Sequence, residues 1–95
     1  MNLTQKQQEV LTLLDAGNAD GSKLDLDQLL ERLSYKPTKA AIQFTIRALI
    51  GHELIEKCGQ EVRRDRMRVI LGPTALGRHY AKALKPSLAR ALVED

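Results

Sequence analysis

The hydrophobic period of this chain changes in its second half, and that change limits what it can fold into. Between Leu3 and Ile50, apart from the turn-forming stretch over residues 16–22, apolar residues recur every three or four positions, the spacing of one face of an α-helix. Past Leu54 the pattern shifts. Met67, Val69 and Leu71 alternate with Arg66 and Arg68, the period of two of a half-buried strand. After Gly72-Pro73 the helical spacing returns. At this length classical two-domain enzymes, barrels and full doubly wound folds are too large. In 95 residues the outcome is one domain, mainly α within the α+β class.

Local signals fix the elements. Thr4 with Gln7 is a capping box, and Val10, Leu11 and Leu14 follow at helical spacing, so a helix is predicted over about 4–15 with Gly17 as its stop. Asp25 with Gln28 repeats the motif and starts a helix over 25–33, with Leu24 packing on Leu29 and a stripe of Leu26, Leu29, Leu30 and Leu33. Pro37 suits the first turn of a third helix over 37–50. Ile42, Ile46 and Leu49 form its apolar stripe, widened by Ala41, Phe44, Thr45 and Ala48, while Lys36, Lys39, Gln43 and Arg47 lie on another side. A hairpin over 54–71 is expected from strands 54–58 and 66–71 around a turn at 59–65. Gly72-Pro73 should break the second strand, and Thr74 should cap a last helix. Pro86 should end or kink that helix, with a short restart at Ser87.

Composition narrows the function. The lone Cys58 excludes an internal disulfide and a cysteine-rich zinc site, and a buried or inert thiol is expected. No apolar run reaches a membrane-helix length and the first residues lack a signal-peptide pattern, so a cytoplasmic protein with no membrane partner is expected. His52 and His79 sit in no catalytic motif, and no phosphate-binding glycine loop is present, so neither an enzyme, a metal nor a cofactor is expected. The net charge of +3 is unevenly spread. Residues 1–35 carry three basic and six acidic groups, whereas residues 36–68 carry eight basic and four acidic groups. Cations concentrated in the middle of the chain point to an anionic partner, nucleic acid first.

Four stretches carry a resemblance. Residues 3–14, Leu3-Thr4-Gln5 through Leu13-Leu14, resemble the opening helix of winged helix-turn-helix domains, including LexA-repressor-type DNA-binding domains. Residues 25–33, Asp25-Leu26-Asp27 through Arg32-Leu33, are similar to their second helix. Residues 46–56, Ile46-Arg47-Ala48-Leu49 through Ile55-Glu56, resemble the passage from recognition helix into first wing strand. Residues 71–80, Leu71-Gly72-Pro73-Thr74 through Gly77-Arg78-His79-Tyr80, resemble the start of the last helix in MarR-like regulators. The pattern departs from the family at Glu53, where many members have glycine, and at the inserted Gly72-Pro73. No protease domain fits in the chain, so self-cleavage does not carry over.

The resemblance, over residues 3–85, implies a three-helix core with a hairpin wing over 1–72 and a C-terminal helical dimerisation segment over 73–95. It implies a homodimeric transcriptional regulator that binds double-stranded DNA sequence-specifically and represses by occlusion. The third helix would enter the major groove, where base edges carry a readable code. Lys39 and Gln43 would face base edges, Arg47 a base or the backbone, and Thr38 a phosphate, with Lys36 among the DNA-binding residues of the same helix. Arg63, Arg64, Arg66 and Arg68 would make the wing's contacts. Phe44 is expected in the core rather than against a thymine methyl, and Tyr35 either packs under the second helix or meets a phosphate. Leu76, Tyr80, Ala81, Leu84, Leu88 and Leu92 would form the dimer contact, the alternative being a last helix folded back on the first. The competing function is a winged-helix module that binds protein and no DNA.

Overall fold

Two reciprocal caps set the first helices. In the computed structural model, which describes residues 2–93 and side chains over 2–84, the Thr4 hydroxyl accepts from the Gln7 N–H at 3.1 Å while the Thr4 N–H donates to Gln7 Oε1 at 2.9 Å. This starts α1 (Gln5–Ala16). Asp25 and Gln28 make the same exchange at the start of α2 (Leu26–Arg32). Capping satisfies backbone donors that the first turn leaves open. The third helix, α3 (Lys39–Gly51), is capped by Thr38, whose hydroxyl accepts from the Ala41 N–H at 3.1 Å. Pro37 therefore precedes the cap instead of lying in the first turn.

The hairpin is longer and tighter than the sequence predicts. Strand β1 (Ile55–Arg63) pairs antiparallel with β2 (Arg66–Pro73). Only Arg64 and Asp65 turn the chain, with φ of 53° and 64°. Two left-handed residues match the right-handed strand twist. The glycine expected in the turn, Gly59, instead has φ of 111° at a bulge between Lys57 and Gln60, which bends the strand without ending it. Gly72 and Pro73 do not break β2; they pair with Glu56 and Ile55. Proline is tolerated there because a strand end needs no ladder donor. Asp25 bridges Ile70, and the Leu71 N–H donates to the Leu24 carbonyl at 2.9 Å, tying the start of α2 to the hairpin.

The last helix, α4 (Ala75–Val93), continues past Pro86 instead of ending there and restarting at Ser87. Proline removes the helical donor to the carbonyl four residues back, that of exposed Lys82. Thr74 binds α4 to the wing base three ways. Its N–H donates to the Leu54 carbonyl at 3.0 Å, its hydroxyl donates to the Glu53 carbonyl at 2.6 Å, and that oxygen accepts from the Gly77 N–H at 3.0 Å. A Cβ at Gly77 would lie 1.8 Å from the Leu54 carbonyl oxygen. The small residue in this motif is thus required by close approach of helix and strand.

One core joins the elements. Val10, Leu11 and Leu14 of α1 meet Leu29 of α2, Ile42, Ile46 and Leu49 of α3, and Ala81 of α4. Leu24, Leu54, Ile55 and Leu71 close it from the strand side. Each fully buried leucine or isoleucine contributes about 1.5–3 kcal/mol. Four helices and a two-stranded hairpin make the expected winged-helix fold.

Candidate nucleic-acid interface

The stripe of α3 that enters the core leaves the opposite side free. Lys39, Ala40, Gln43, Phe44 and Arg47 line a shallow open groove along it. Lys36 and Thr38 are exposed at its N-terminal end. The side chains predicted to read DNA on this helix thus share one solvent-facing surface. Lys36, Lys39, Arg47 and nearby Lys57 are exposed and have no ion pair among the described residues. Phe44 is not in the core: it is 74% exposed. It follows Ile42 by two positions, and two helical steps turn a side chain by about 200°, so both cannot face inward.

The wing differs from the expectation in its electrostatics. Arg63 reaches back into the body, where its guanidinium donates to the Lys23 carbonyl at 2.8 Å and Gln28 Oε1 at 3.0 Å. The same group stands 3.4 Å from buried Asp25 and 2.9 Å from Glu61. Arg68 meets Asp27 at 2.6 Å, and Arg64 holds Glu31 with two bonds at 2.7 and 3.2 Å. The bonds from Arg64 keep the Glu31 carboxyl below its ordinary range. Among the wing arginines only Arg66 lacks an ion pair within the described residues. Much of the acidic front of the chain is therefore spent on the wing: Asp25, Asp27 and Glu31 hold three of its cations. Charge counting along the sequence reveals the imbalance but not its internal cancellation.

The wing's outer half is also apolar in part. Val62 and Met67 face each other across the strands and are 69% and 61% exposed. Alternation places Met67 with inward-facing Val69 and Leu71, but the hairpin reaches beyond the body there. Cys58 is exposed, not buried, with its Sγ 3.5 Å from Lys23 Nζ.

The remaining candidates are placed as follows. The Tyr35 hydroxyl is buried with no hydrogen-bond partner, its ring under Lys6 Nζ at 5.1 Å from the ring centre. It packs by Lys6 and Glu9 of α1 rather than facing solvent. Burial, and then the Glu9 charge, push its ionisation above the ordinary tyrosine value. His52 is exposed and caps the end of α3. On α4, Ala81 is fully buried in the monomer's own core, Tyr80 and Leu84 are half-buried against it, and Leu76 is 43% exposed. The helix folds back on α1, so Ala81 cannot itself meet a second copy. Leu88 and Leu92 lie outside the residues whose side chains are described. Among the described residues no cluster of His, Cys, Asp and Glu could hold a metal ion, and no helix is long and apolar enough to cross a membrane.

No protein-family profile matches the chain, and no curated protein matches it. Among solved structures, S. aureus MepR in complex with DNA is similar at 23% identity with a TM-score of 0.69. The alignment covers 97% of this chain and 65% of that one, so this chain spans just under two thirds of its structural neighbour. The likeness is one of fold.

Proposed function

We propose that this protein binds double-stranded DNA sequence-specifically as a transcriptional regulator, a repressor that occludes its site as a dimer. The observation that carries the reading is the unneutralised cationic surface of α3, with Lys39, Gln43 and Arg47 on one exposed side of a helix. A bare helix face with cations and an amide suits the major groove, where lysine and arginine pair with guanine and glutamine with adenine. The structural neighbour's solution in complex with DNA supports the same use of the fold. Lys36 and Lys57 flank the helix and supply phosphate contacts, while Thr38 keeps its hydroxyl proton available beside its cap. Arg66 serves from the wing as it stands. Arg64 and Arg68 serve by exchanging carboxylate partners for phosphates, and Arg63 by fixing the wing on α2. Exposed Leu76 and the α4 residues beyond Leu84 supply the contact between copies.

The test is binding to a random-sequence duplex pool, with selection and sequencing, followed by anisotropy titrations at several salt concentrations. Removing one cation that meets a phosphate should flatten the log–log salt slope by about 0.9. Replacing Lys36, Lys39, Arg47 and Lys57 together by alanine should therefore abolish binding at moderate salt. If wild-type protein binds no duplex even at low salt, the reading is wrong. A mass by light scattering checks the dimer.

A further inference from the structure

We propose that Phe44 is a base-reading residue that packs on the C5-methyl group of thymine, giving the protein a preference for A·T pairs at one position of its site. The inference rests on the DNA-binding reading and deepens it.

Phe44 is the chain's one phenylalanine and its most exposed large apolar residue among those described, at 74%. It lies four residues after Ala40 and three before Arg47, in one row on the side of α3 away from the core, and shares the groove with Lys39 and Gln43. Scattered surface apolar residues are ordinary, but this ring stands within the cationic face, where the neighbours call for an anionic occupant. A protein partner matched to an isolated ring would need a wider apolar surround, whereas the groove's other large side chains are polar.

Duplex DNA meets both demands. Its negative field and guanine edges match Lys39 and Arg47, and the major-groove edge offers one apolar group, the thymine methyl. Gln43 precedes Phe44, and an amide can pair with adenine N6 and N7. The two residues together fit an A·T pair or two neighbouring ones, amide on the adenine edge and ring on the methyl.

The test replaces each thymine of a selected duplex by deoxyuridine, one at a time, which removes the methyl and leaves pairing intact. Burying one methyl is worth about fourfold in affinity. Wild-type protein should lose about that much at the contacted position. Phe44→Ala, at an exposed position that folding does not need, should bind the thymine duplex several-fold more weakly, be indifferent to deoxyuridine there, and keep the wild-type salt slope because no cation is removed. Specific binding that ignores every deoxyuridine substitution, or a Phe44→Ala protein as methyl-sensitive as wild type, overturns the inference and leaves DNA binding standing. Failure of wild type to bind any duplex at low salt overturns both.

Discussion

Replacing Gly77 by alanine tests how α4 is joined to the wing. A Cβ there would stand 1.8 Å from the Leu54 carbonyl oxygen and 3.3 Å from Leu11 Cδ1. Real Cβ contacts essentially never fall under 3.0 Å, so α4 must withdraw by an ångström or more. Withdrawal stretches the Thr74 bonds to the Leu54 and Glu53 carbonyls, now 3.0 and 2.6 Å. Each such bond is worth about 1 kcal/mol. Crowding in a packed interior adds about 1–3 kcal/mol, and alanine returns up to about 1 kcal/mol through its better helix propensity. The net is a loss of about 3 kcal/mol, a large share of the 5–15 kcal/mol typical of a small domain. At about 4–8 °C per kcal/mol for this chain length, the circular-dichroism melting midpoint should fall by well over 10 °C. Gly51→Ala is the control. Nothing lies within 4 Å of a Cβ there, and this change should be neutral or stabilise by up to about 1 kcal/mol. Should Gly77→Ala melt within a few degrees of wild type, the close seating of α4 on Leu54 is wrong.

Glu53→Gly should stabilise by about 1 kcal/mol in a urea titration, because Glu53 holds φ of 61°, a conformation costly for any residue with a Cβ; a loss of stability would refute the strain. Tyr35→Phe removes a buried hydroxyl that has no partner, so stability should rise or hold, by up to about 2 kcal/mol. In wild type the folded Tyr35 ionises later than the unfolded one, so this group's contribution is whole below the unfolded value and declines as pH rises past about 10. The Tyr35→Phe protein should lack that alkaline component in melts taken across this range. Asp27→Asn releases Arg68 from its 2.6 Å partner. Tighter DNA binding at an unchanged salt slope is expected, because Arg68 no longer gives up a carboxylate to meet its phosphate, and unchanged affinity would mean that Arg68 does not reach one.

The sequence makes the fold legible where a local rule decides the outcome. Thr4 with Gln7 and Asp25 with Gln28 predict two capped helices, and both form with the reciprocal bonds expected. It misleads where one residue type serves two geometries. Gly59 reads equally as a turn or a bulge, and the left-handed turn falls to Arg64 and Asp65, which carry no glycine signal. The chemistry of Phe44 argues for the core, although its offset from Ile42 and Ile46 already places it on the other face. The order of helix positions outweighs hydrophobicity when the apolar stripe is already filled.

The candidate site follows the same division. The α3 cations are readable because helical spacing fixes which residues share a face. The wing cations are readable as residues, and the pairing of Arg63 with Glu61 is local, but the rest of their neutralisation comes from Asp25, Asp27 and Glu31, more than thirty positions away in sequence. Physically, that latch sets two classes of cation apart. Lys36, Lys39, Arg47 and Lys57 meet an incoming polyanion at no cost in existing bonds. Arg63 must leave buried Asp25, and a buried carboxylate stripped of its partner is expensive. Arg63 is thereby the wing cation least able to trade partners and the one that fixes the wing on α2. Arg64, whose pair with Glu31 is exposed on both sides, changes partners most readily. Affinity for DNA should therefore depend on α3 first, Arg64 and Arg66 next, and Arg63 through the wing's position.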